Sequence, residues 1–109
     1  MSALLDEMNA LGAAAKVASS TLALASGDQK NRAILAAASS IRSEAATIQQ
    51  ANENDMDAAE AAGLSKAKLD RLLLTPERIE AMAVGLESVA ELAEPVGKVL
   101  AEWTRPNGL

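Results

Sequence analysis

The side chains best placed to do chemistry are a run of carboxylates, Glu44, Glu53, Asp55, Asp57 and Glu60, in a window (residues 43–62) without a single basic residue. Oxygen ligands at that density suit calcium. The run nevertheless lacks the alternating ligands, central Gly and closing Glu of an EF-hand loop, so it reads as a solvated acidic face and no metal site is assigned. Arg71 and Arg78 are the candidates for holding a phosphate, but Asp70, Glu77 or solvent are their expected partners. The absence of Cys removes a thiolate nucleophile, a thiolate metal site and a disulfide scaffold. The absence of His removes the commonest metal ligand and a Ser-His-Asp triad. Catalytic, cofactor-binding and metal-binding residues are therefore assigned to no position.

The elements that would carry any site are helices. Ala supplies about a quarter of the 109 residues, while Leu, Val, Ile, Met and Trp together number 29. With one Trp and no Phe or Tyr, the chain lacks the aromatic and β-branched mix of a β-sandwich, and its Ala, Leu, Glu, Lys, Arg, Gln and Met favour helix. The fold class is mostly α, with four or five helices packed as a bundle-like piece around a thin core. A formal charge of -5, with scattered Lys and Arg, offers nucleic acid nothing to hold. No apolar run approaches a membrane span and no secretory leader is visible, so the chain reads as soluble and cytoplasmic.

Leu4, Met8, Leu11, Ala15, Ala18, Leu22 and Ala25 step by four and three, which predicts a helix over residues 3–25 with Ser2 as its N-cap. Ser26 and Gln29 fit a capping box ahead of a second helix over 28–50, striped by Ile34, Ile41 and Ile48. The Asn52-Glu53-Asn54-Asp55 stretch predicts a break before a short third helix over 53–62, which Gly63 stops. A fourth helix is expected over 66–73 behind Ser65. Thr75-Pro76-Glu77 opens a fifth over 76–93, with Ile79, Met82, Leu86, Val89 and Ala93 on its core face. Gly85 inside it suggests close approach of another backbone. After Pro95-Val96-Gly97 the residues turn strand-like from Lys98 to Thr104. Asn107-Gly108 then signals a hairpin turn, with Leu109 alone beyond it, as in a truncated hairpin.

The stretch Gly63-Leu-Ser-Lys-Ala-Lys-Leu-Asp-Arg-Leu-Leu-Leu-Thr-Pro-Glu-Arg-Ile79, followed by Met82-Ala-Val-Gly-Leu86 and Pro95-Val-Gly97, resembles the N-terminal region of the γ-glutamyl phosphate reductases. Lys30-Asn31-Arg32 and Asn52-Glu53-Asn54-Asp55 extend the resemblance over nearly all of residues 4–109; Glu94 departs from the usual Asp before Pro-Val-Gly. The resemblance implies an aldehyde-dehydrogenase-like α/β parent that reduces L-glutamyl 5-phosphate with NADPH to the semialdehyde in proline biosynthesis, through a cysteine thiolate. It places residues 1–97 in the helical part of the cofactor-binding domain and 98–109 in the first strand and turn of a hairpin. None of the family's catalytic or cofactor-contacting motifs falls on this chain, so the chain alone is expected to be inactive and without a cofactor. Its expected partners are the remainder of its own polypeptide and a second copy of itself, with no nucleic acid, membrane or metal. The alternative is a free-standing helical interaction module.

Overall fold

The computed structural model describes residues 2–109. Among these residues five α-helices follow one another: α1 (Ala3–Leu24), α2 (Gly27–Ser43), α3 (Ala45–Ala61), α4 (Lys66–Leu72) and α5 (Pro76–Ala90). Their starts obey local chemistry. The hydroxyls of Ser2, Ser65 and Thr75 accept hydrogen bonds from the backbone N–H groups of Leu5, Lys68 and Arg78, satisfying donors that the first helical turn leaves over. Pro76 sits at the start of α5, where its missing N–H costs nothing. Gly63, at φ +78°, ends α3 as expected: its N–H donates to the Glu60 carbonyl and that of Leu64 to the Ala59 carbonyl.

The second break lies at Glu44, not within residues 51–55 as the Asn and Asp content implied. Ser43 Oγ donates to the Ser40 carbonyl at 3.1 Å, and that oxygen also accepts the Glu44 N–H at 2.9 Å. Beside that shared carbonyl Glu44 leaves helical geometry, at φ -100°, ψ 12°. Residues 51–55 stay helical because Asn54 and Asp55 are exposed, while Asn52 finds its partners on another element.

The expected strand from Lys98 to Thr104 does not form; no strand is present among the described residues. A strand exists only as a ladder, and among the described residues this segment forms none. Its turn does form. The Gly108 N–H donates to the Arg105 carbonyl and the Arg105 N–H to the Leu109 carbonyl, with Gly108 at φ +81°. This is a three-residue hairpin loop, Pro106-Asn107-Gly108, in which glycine takes the left-handed position.

The chain divides into two compact units, residues 28–92 and a second made of residues up to 27 with 93–109. In the first, Ala38, Ala59, Ile79 and Ala83 are buried beside Asn52, and α3 packs on α4 and α5. On α5 the inward line runs through Ile79, Ala83, Leu86 and Ala90; Met82 and Val89 are exposed, one step off the expected face. Nothing lies within 4 Å of a Cβ built on Gly85, so close backbone approach does not account for that glycine. In the second unit α1 buries none of its residues: Leu4, Met8, Leu11 and Leu22 are each more than half exposed. No described helix is long and apolar enough to cross a membrane.

Candidate functional site

Three polar side chains organise the residue 28–92 unit, and each consumes a group that might otherwise have met a ligand. Asn52 is 4% exposed on the inner face of α3. Its Nδ2 donates to the Leu72 carbonyl and its Oδ1 accepts from the Leu74 N–H, both at 2.9 Å. One amide thereby satisfies two backbone groups in the connection between α4 and α5, which have no helical partner of their own. Arg78 supports the same connection. Its Nη1 donates to the carbonyls of Leu73 and Asp70, and its Nη2 pairs with the Asp70 carboxylate at 3.0 Å.

Arg42 on α2 reaches two acids of α5. Its Nε donates to both Glu80 oxygens, its Nη1 to Glu87 Oε2 and its Nη2 to Glu87 Oε1 at 2.7 Å. Glu80 and Glu87 stand seven residues apart and so share one helix face. Hydrogen bonds from Arg42 hold both carboxyls below their ordinary value, and the two acids, Glu87 foremost, raise the guanidinium. All three side chains stay in contact with water. The clamp therefore fixes the orientation of α2 against α5 more than it stabilises them.

Two shallow grooves flank these features. One, of about 320 Å³, lies between α3 and residues 73–76, with Glu53 and Asp57 on its rim. The other, of about 530 Å³, lies between α2 and α5 and is lined by Leu35 and Val84 with Glu87 and Glu91. Neither is lined by a cationic side chain that could meet a phosphate, and the hydroxyls on their walls are engaged with backbone, Thr75 with the Arg78 N–H and Ser88 with the Val84 carbonyl.

The two arginines singled out in the sequence separate. Arg78 is committed to Asp70 rather than to Glu77, and Arg71 is exposed. The acidic run stays dispersed along α3 and the preceding kink; no group of three or more potential ligands among the described residues is placed to hold a metal ion. Asn52 and Arg42 were missed. The sequence carried a signal for each: Asn52 continues the seven-residue line of Ala38, Ala45 and Ala59 and is thereby placed on an inward apolar face, where a polar side chain needs partners of its own, and Glu80 and Glu87 keep the same spacing.

No family model matches the chain. Over 102 residues, 94% of its length, it is 55% identical to the gamma-glutamyl phosphate reductase of Paramagnetospirillum magneticum, covering 24% of that protein. Over all 109 residues it is 48% identical to the same enzyme of Geobacillus kaustophilus, covering 25%. The chain is similar to the N-terminal portion of γ-glutamyl phosphate reductase. The crystal structure of the Thermotoga maritima reductase matches 82% of the chain with a TM-score of 0.77 and 34% identity, covering 22% of that enzyme. The chain thus spans about a quarter of the length of the reductases it matches.

Two measurements check the staple and the clamp. Asn52→Ala leaves the Leu72 carbonyl and the Leu74 N–H without partners and should cost about 2–4 kcal/mol in urea unfolding. Asn52→Asp should be comparably costly at neutral pH, because it sets a carboxylate oxygen against the Leu72 carbonyl. A loss under about 0.5 kcal/mol in both variants would show that the staple does not hold the connection. For the clamp, folded-state values lie below the ordinary 4.5 of Glu80 and Glu87, so their stabilisation is present above 4.5 and lost as pH falls through the lower folded values. The urea midpoint should therefore fall on acidification below that point, and Arg42→Gln should flatten the fall. An identical acid profile in the variant would reject the clamp as its source.

Proposed function

We propose that the chain is the N-terminal helical portion of an enzyme that reduces L-glutamyl 5-phosphate with NADPH to L-glutamate 5-semialdehyde and phosphate, in the cytoplasm, on the route to proline. The observation that carries this reading is 55% identity to a γ-glutamyl phosphate reductase over 94% of the chain. The part played by these residues is structural. The thioester chemistry expected of the family needs a cysteine thiolate, and this chain has no Cys. Nor do the described residues fit NADPH. They contain no strand leading through a Gly-rich turn into a helix, and both grooves are rimmed by acids that repel a pyrophosphate.

In this reading residues 1–97 belong to the helical part of the cofactor-binding domain of an α/β parent, and 98–109 open a hairpin. The loop closed between Arg105 and Leu109 supports the second assignment, because its hydrogen bonds are those that start a two-stranded ladder. The chain's principal partner is then the rest of its own polypeptide. In isolation its exposed apolar residues, Leu4, Met8, Leu11 and Leu22 on α1 with Trp103 at 76% exposure, favour self-association. Nucleic acid, membrane and metal are not partners. A free-standing helical interaction module would use the same exposed faces, but the likeness to reductases favours the enzyme portion.

The purified chain alone should give no phosphate-dependent reduction of NADP with the semialdehyde, whereas the same residues fused to the remaining three-quarters of a relative should turn over. Activity of the chain alone, or an inert fusion that is folded, would overturn the assignment. Sedimentation across a dilution series should show a species larger than a monomer at high concentration, with a blue shift of Trp103 fluorescence; a monomer throughout, with a constant spectrum, rejects self-association.

A further inference from the structure

Asn107-Gly108 shapes the hairpin loop, yet it also carries a chemistry that the reading above leaves unused. When an asparagine precedes a glycine, the backbone can attack the side chain. Here the Gly108 nitrogen would bond to Asn107 Cγ, the Cγ–Nδ2 bond would break, and the nitrogen would leave as ammonia carrying the proton released by the Gly108 amide. A five-membered succinimide ring remains. One water then opens it at either carbonyl, giving aspartate or isoaspartate, and no oxidant or reductant takes part.

The structure singles out this asparagine among five. Asn9 lies in α1, Asn31 in α2, and Asn52 and Asn54 in α3, where the following backbone nitrogens are held in helical geometry. Ala10, Arg32, Glu53 and Asp55 follow them, each with a Cβ that crowds the attacking nitrogen. Asn107 is exposed and outside every helix, and nothing lies within 4 Å of where a Cβ on Gly108 would sit. Its glycine neighbour removes the side-chain obstacle to ring closure.

The loop also restrains the reaction that its sequence invites. Asn107 Oδ1 accepts the Leu109 N–H at 3.1 Å, and the Gly108 N–H is engaged with the Arg105 carbonyl at 2.9 Å. For attack, the Gly108 nitrogen must give up its bond to Arg105 and the Asn107 amide must leave Leu109. We propose that Asn107-Gly108 is a site of spontaneous deamidation, guarded by the closed hairpin loop and exposed whenever that loop opens. Isoaspartate inserts a methylene into the main chain between residues 107 and 108. The hydrogen bond from Gly108 to Arg105 then no longer closes the same ring, so the modification removes the nucleus on which the hairpin would build.

Incubation of the purified chain at neutral pH and physiological temperature, followed by peptide mapping and enzymatic isoaspartate detection, tests this without reference to activity. Residue 107 should be the first asparagine converted. Its conversion should be about tenfold or more faster in urea than in the native chain, because both hydrogen bonds must open and each exposed bond of ordinary strength holds the loop by a factor of roughly two to ten. Pro106→Ala, which frees the backbone angle that pre-sets the loop, should speed conversion in the native chain, and Asn107→Ser should abolish the isoaspartate signal. Conversion of another asparagine first in the native chain would overturn the site; equal rates in urea, in native protein and in Pro106→Ala would overturn the guarding role.

Discussion

The residue 28–92 unit depends on a constraint set by one amide: the connection between α4 and α5 must run half-buried against α3 without leaving its backbone polar groups unpaired. Leu72 ends a helix, Pro76 begins the next, and the three residues between them have no ladder to join. Asn52 supplies an acceptor and a donor at the spacing of the Leu74 N–H and the Leu72 carbonyl. A hydrophobic residue in its place would pack as well and strand both groups. From the other side, Arg78 holds the Asp70 and Leu73 carbonyls, so a short connection that would otherwise fray is fixed at both edges.

With that connection in place, little apolar burial is left to hold the unit together. Three of the four buried apolar residues are alanines, and Ile79 is the largest fully buried side chain. Small side chains let helices approach closely but contribute little each. The Arg42 clamp between α2 and α5 supplies direction where the core supplies little mass. The apolar residues that would make a larger core are instead exposed on α1 and the 98–109 segment. In the proposed reading further protein would cover these residues, the chain spanning about a quarter of the reductases it matches.

Local signals were legible wherever the deciding interaction lay within about four residues. The caps at Ser2, Ser65 and Thr75, the stop at Gly63 and the Asn107-Gly108 turn are of this kind. The break was misplaced because Asn and Asp weaken a helix on average, whereas Asn52 finds partners outside its helix and the actual kink lies at Glu44. The likeness to the reductases was legible as well, in the run from Gly63 to Ile79, and it holds across nearly the whole chain.

The sequence by itself determined that this chain is helical, where most of its helices start and stop, and that it holds no thiol or imidazole with which to catalyse. Those properties are set by propensity, capping and composition, which act residue by residue. Only the tertiary structure decided that Asn52 is a staple, that Arg78 is spent on Asp70 and two carbonyls, and that Arg42 chooses Glu80 and Glu87, from 38 and 45 residues away. It also decided that the segment from Lys98 to Thr104 is not a strand. A side chain's partner and a strand's ladder both depend on which distant backbone is brought alongside, and local sequence encodes no such distance.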